Sequence, residues 1–202
     1  MVNQKREYLH EDGKNTKELM EYVILEKTSY DDTIQILEIL SKSFNISEKE
    51  ALHQLLYSNA DLNNSVKLVD TRDNKIYGLL VFSLFNIQNG SPIIGLNQTL
   101  SNFLTHSKQL NGHSFVIDKR LRGQGFDKKM LLFQQDYINQ FDFIWCGVEK
   151  DLKSHKYWEK LGFLPIMDDG KGVFYIKTTN TKEMLGIFII KMLSQYENNY
   201  II

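Results

Sequence analysis

Apolar and polar positions along this chain follow two periods, short runs of alternating type separated by stretches of helical spacing. Tyr22-Val23-Ile24-Leu25, inside Glu21–Glu26, predicts a first strand. Asp31 and Asp32 stand where a helix can be capped, and Ile34, Leu37 and Phe44 predict its apolar face. Ser47-Glu48-Lys49-Glu50 is a capping box. It opens a second helix whose inward residues are expected to be Leu52, Leu55 and Leu56. Val66–Val69 and Ile76–Phe85 flank Asp73-Asn74 and read as a hairpin. A strand over 112–117, a helix over 126–139, a strand over 143–148 and a helix over 153–161 follow, then strands near 163–167 and 173–177. This β-α-α-β-β-β-α-β-α-β-β order predicts a mixed α/β sheet.

Three stretches stand apart from that order. Residues 1–20 are polar and read as an arm or short helix. Residues 87–110 form an insertion with Gly90-Ser91-Pro92 and a helical pattern, Asn97–Gln109, carrying Leu100, Phe103 and Leu104 on one face. Residues 181–198 predict an extra apolar helix around Met184–Ile190, which Lys191 interrupts. It is too short to cross a bilayer, so docking on the domain or on a second copy is expected, and a homodimer is admitted.

Composition changes little. A chain of 202 residues is one domain's worth. The 24 Lys and Arg against 25 Asp and Glu leave no nucleic-acid footprint. The N-terminus lacks the apolar run of a signal peptide. Cys146 is the only cysteine, so no internal disulfide forms, and a reducing cytoplasmic setting is expected. The five histidines show no ligand-like spacing, and no metal is expected.

The densest chemistry lies in residues 116–131. An apolar strand end, Val116-Ile117, leads to Arg122-Gly123-Gln124-Gly125 and then to an amphipathic helix beginning Phe126-Asp127-Lys128-Lys129. Glycines let backbone pass close to a ligand. The first helical N–H groups have no intrahelical partner, and their positive dipole end favours an anion. Arg122, Lys128 and Lys129 add positive charge. The segment reads as a phosphate cradle that would suit a pyrophosphate, with a purely structural turn as the alternative. It completes neither the P-loop, which needs Gly-Lys-Ser/Thr, nor the Rossmann spacing, which would need glycine where Lys128 stands.

A second segment, the strand Phe143–Val148 followed by Asp151-Leu152-Lys153-Ser154-His155-Lys156-Tyr157-Trp158-Glu159-Lys160-Leu161-Gly162-Phe163, extends the pattern. Together the two resemble the acyl-CoA cradle of the GCN5-related N-acetyltransferase (GNAT) superfamily. That family's Val-x-x-x-x-Arg-Gly-x-Gly-x-Gly/Ala is matched by Ile117, Arg122, Gly123 and Gly125, with Asp127 at the last place. Its Asn-x-x-Ala-x-x-Leu/Phe-Tyr-x-Lys-x-Gly-Phe is matched by Asp151, Ser154, Tyr157, Trp158, Lys160, Gly162 and Phe163. The resemblance directly covers about residues 112–166. It implies a single GNAT-like domain over 1–202, with a mixed, mostly antiparallel central sheet and flanking helices. It also implies acetyl-CoA as cofactor and a small-molecule primary amine as acceptor, with a peptide in second place. Val116 and Ile117 would then meet the pantetheine arm, and Arg122, Gly123, Gln124, Gly125, Phe126, Asp127 and Lys128 the pyrophosphate. Asp151, Ser154 and Trp158 would complete the cofactor side. The 87–110 insertion would be a lid near the acceptor cleft or a packing helix.

Two departures bear on activity. Asp127 puts a carboxylate beside the expected pyrophosphate, unless it turns outward to cap the helix or pairs with a cation. Trp158 stands where relatives carry a tyrosine proposed to protonate the leaving thiolate, and an indole N–H is no usable acid. Tyr157 is the neighbouring candidate acid, with a place in the core or the cleft wall as its alternative. Glu149 is the candidate base, and Asp118 and His113 are considered beside it. His155, among Lys153, Lys156 and Lys160, reads as a solvated surface residue. Cys146 reads as a small buried hydrophobe. A GNAT-fold module that binds CoA or a protein partner without turnover is the alternative to an enzyme.

Overall fold

The computed structural model describes residues 16–84, 106–149, 155–168 and 171–178. Residues 1–15, the insertion as far as residue 105, and the 181–198 segment lie outside the described residues, as do Asp151 and Ser154. The chain divides into two compact units, Met1–Phe82 with Ser114–Gln135, and Ser83–His113 with Asp136–Ile202.

In the first unit, residues 16–22 are helical and Leu19 is buried, so the end of the expected polar arm is a docked helix. Strands β1 (Val23–Lys27), β2 (Val66–Asp70) and β3 (Ile76–Ser83) form an antiparallel meander, with Val23 opposite Asp70 and Val66 opposite Leu80. The β2–β3 turn places Asn74 at φ 57°, a left-handed conformation that asparagine tolerates. Helices α1 (Thr33–Phe44) and α2 (Glu48–Tyr57) precede the hairpin.

Their buried faces match the pattern only in part, at Leu37 and Leu55. The core takes Ile36 and Leu40 from α1 and Ala51 and Leu55 from α2, packed with Leu62, Ile76, Leu79 and Val81. Ile34 is 79% exposed, and Phe44, Leu52 and Leu56 also face outward. α1 is apolar around most of its circumference, so spacing alone allows two stripes, and tertiary packing selects the one that passes through Ile36. On α2 the small side chain of Ala51 lies inside, where the pattern expects leucines.

Capping is also divided. Ser47 accepts from the Glu50 amide and Glu50 accepts from the Ser47 amide, completing the expected box. Asp32, expected to cap α1, makes no such bond; its carboxylate accepts from the Ser29 amide and from Lys67.

Strand β4 (Gln109–Ile117) has its first five residues in the second unit and its last four in the first. It begins earlier than predicted, so Gln109 is strand and not the end of the insertion helix. Parallel to its start runs β5 (Phe143–Glu149), pairing only Gln109, Leu110 and Asn111 with Phe143, Ile144 and Trp145. The predicted helix 126–139 is two helices, α3 (Phe126–Phe133) and α4 (Gln135–Ile138), broken at buried Gln134. The second unit continues with α5 (His155–Lys160), β6 (Leu164–Asp168) and β7 (Gly172–Thr178). β7 pairs antiparallel with all of β5, and β6 lies at its other edge. The sheet is therefore mixed and mostly antiparallel.

Candidate functional site

The glycine turn has the geometry its sequence demands. Gly123 and Gly125 sit at φ +76° and +77°, where a side chain is strained. A Cβ built at either would meet nothing within 4 Å. Glycine is required here for backbone conformation, and that face of the turn is open. Gly125 caps α3, and the Lys129 amide is the first to close a helical bond, onto the Gly125 carbonyl. The amides of Phe126, Asp127 and Lys128 precede that bond and have no helical acceptor.

One of these three is already engaged. The Asp127 carboxylate accepts from the Lys128 amide at 2.7 Å, so it turns back onto its own helix start. Arg122 donates from Nε to the Ile117 carbonyl at 2.9 Å, tying the turn to the strand end. That carbonyl, one of the backbone groups of a strand end expected to meet a pantetheine arm, thus already accepts one of the two bonds it can take. The Arg122 guanidinium makes no other bond among the described residues, so its two outer nitrogens remain available to an anion. Val116 packs against the core that holds α1 and α2. Asp118 is a poor base: although burial works against its ionised form, Arg120 hydrogen bonds and the Arg120 and Lys119 charges hold its carboxyl below the usual range.

The other candidates lie in the second unit. Glu149 ends β5 with its side chain exposed. Tyr157 is half-buried, edge-on to Trp158 at 5.7 Å between ring centroids. Trp158 is 7% exposed and packs edge-on against Phe163 at 5.1 Å, a core position more than a cofactor contact. Burial lowers the pKa of His113, so its imidazole is neutral at pH 7. Cys146 is buried and desolvation pushes its thiol well up, which removes it as a nucleophile. His155 departs from its expected role as a solvated residue. It is half-buried, with Nδ1 3.1 Å from the Tyr175 hydroxyl and Nε2 3.0 Å from the Glu149 carbonyl oxygen. A histidine inside a lysine-rich helix carries no sequence signal for such a role.

No protein-family model matches the sequence, and no curated protein matches it either. Solved structures do. The Arabidopsis thaliana NAA60 structure, in complex with a bisubstrate analogue, superposes with a TM-score of 0.58 at 10% identity, covering 78% of this chain and 99% of that one. The PaiA N-acetyltransferase of Thermoplasma acidophilum, in complex with coenzyme A, gives 0.54 at 12% identity over 77% and 98%. YhbS of Escherichia coli, a GNAT family N-acetyltransferase in complex with CoA, gives 0.54 at 17% over 78% and 81%. The chain has the GNAT fold. At these identities the likeness is one of fold, and what the chain binds has to be argued from its own residues. Val116, Ile117 and Arg122–Lys128 lie in the first unit, and Glu149, Tyr157 and Trp158 in the second. No helix among the described residues is long and apolar enough to cross a membrane.

Proposed function

We propose that this chain is an acetyl-CoA-dependent N-acetyltransferase acting on a primary amine, a small molecule before a peptide. The observation that carries the reading is the open glycine turn at the head of α3, with two positive-φ glycines and Arg122 beside unfilled helix amides. Coenzyme A bound to two proteins of the same fold supports it. The backbone of Gly123, Gln124, Gly125, Phe126 and Asp127 would hold the diphosphate, with Arg122 and Lys128 adding charge. Acetyl-CoA would supply the acetyl thioester. The chain's part is chiefly orientation, which can contribute about 7–11 kcal/mol toward a barrier without a covalent intermediate. Glu149 would take the amine proton through water, and Tyr157 would give a proton to the departing thiolate. A cytoplasmic setting goes with this reading.

Asp127 favours a second reading, a GNAT-fold module without turnover, because its carboxylate sits on an amide a phosphate would use. Thermal unfolding separates the two. Acetyl-CoA at a hundred times its dissociation constant adds about 2.7 kcal/mol, which for a chain of this size raises the midpoint by roughly 5–10 °C. ATP and NAD should leave the midpoint in place. A shift followed by acetyl transfer in an amine panel supports the enzyme; a shift without turnover supports the module. No shift at high acetyl-CoA removes the enzyme and the CoA-binding form of the module, and leaves the module that binds only a protein partner.

A further inference from the structure

The His155 ring is held at both nitrogens, and the chemistry of its partners fixes its tautomer. The Glu149 carbonyl can only accept, so Nε2 carries the hydrogen and donates to it. With that hydrogen on Nε2, the Tyr175 hydroxyl at 3.1 Å stands where it can donate to Nδ1. Burial, with the nearby Glu159 and Cys146, raises the Tyr175 pKa and keeps that hydroxyl protonated as a donor. The two bonds join the last residue of β5, the first of α5 and the middle of β7. The strands are close at this end of the ladder. Gly172 pairs with Glu149, and a Cβ on Gly172 would lie 2.9 Å from the Val148 carbonyl oxygen. The clamp therefore acts on a strand end that is already tightly packed.

We propose that His155 is a positioning residue for acyl transfer, holding the Glu149 backbone to β7 through Tyr175 so that the exposed Glu149 carboxylate works from a fixed strand end. This rests on the functional reading above, in which Glu149 accepts the amine proton. Because His155 acts through Glu149, its loss should appear in kcat and the pH profile of kcat, with acetyl-CoA affinity preserved.

The test uses the full chain as wild type, Tyr175→Phe, His155→Ala and His155→Gln. Nitrogen-15 imidazole spectra should show the Nε2–H tautomer in the wild type and a mixture in Tyr175→Phe, which removes one hydroxyl and little volume. With an amine the wild type accepts, kcat should fall roughly tenfold in Tyr175→Phe and His155→Ala, as expected for a displaced catalytic group. The KM for acetyl-CoA should stay within about twofold, because binding is not the interaction removed. His155→Gln, whose amide can still donate to the Glu149 carbonyl, should recover part of the loss. An Nδ1–H tautomer in the wild type overturns the proposal whether or not turnover is found. Unchanged kcat in both Tyr175→Phe and His155→Ala overturns it while leaving the acetyltransferase reading intact. A wild type that neither responds to acetyl-CoA nor acetylates any amine ends the functional reading, and the positioning role with it.

Discussion

The Asp127 carboxylate is the residue on which the functional reading turns. It holds the Lys128 amide that an incoming phosphate would need, so ligand and side chain compete for one donor. Replacing it with alanine frees the amide, removes a negative charge and keeps helix propensity. Asp127→Ala should tighten acetyl-CoA about 2–10-fold by calorimetry, the scale of one charge at a helix start. Affinity that is unchanged or weaker would show that the carboxylate does not oppose the cofactor. The glycine turn was legible in the sequence because two glycines after a strand end encode a local backbone path. The direction of the Asp127 side chain was legible only as a choice between capping the helix and pairing with a cation, and the carboxylate takes a helix-start amide. His155 was misread for a related reason: its neighbours in sequence are lysines, while its partners come from β5 and β7.

Among the elements, α1 offers the clearest contrast between sequence pattern and fold. Ile36 is fully buried and Ile34 largely exposed, two residues apart on one helix. Ile36→Ala should therefore cost about 2–5 kcal/mol, and Ile34→Ala less than about 0.5 kcal/mol, measured as urea midpoints. Equal losses would mean that both stripes are covered. The capping box at Ser47 was readable because its two partners lie three residues apart, and a short local motif needs no tertiary information. The buried faces of α1 and α2 depend on which residues of β3 they meet, and no spacing rule contains that. The order of strands and helices was readable almost throughout. Exceptions arise at boundaries: Gln109 is strand, and buried Gln134 divides one expected helix into two.

At the scale of the whole molecule, acid should act in two steps. Burial places the folded His113 pKa below its ordinary value near 6.5, so the unfolded chain binds that proton first. Its contribution is complete above about pH 6.5 and declines as pH falls toward the folded value. Asp32 and Asp118 have folded pKa values below the ordinary range near 4, and their contribution is lost as pH falls below that range. The urea midpoint should hold from pH 8 to 7, begin to drop as pH falls below about 6.5, and drop again below about 4. His113→Gln should remove the first step alone; a wild-type midpoint flat down to pH 5 would contradict the assignment. Cys146 adds a consequence of another kind. The chain has a single thiol, 1% exposed and strongly disfavoured as thiolate, in the middle of β5. An alkylating reagent can reach it only after that strand leaves its neighbours, so the labelling rate of the unmodified protein is a built-in clock for local opening beside Glu149.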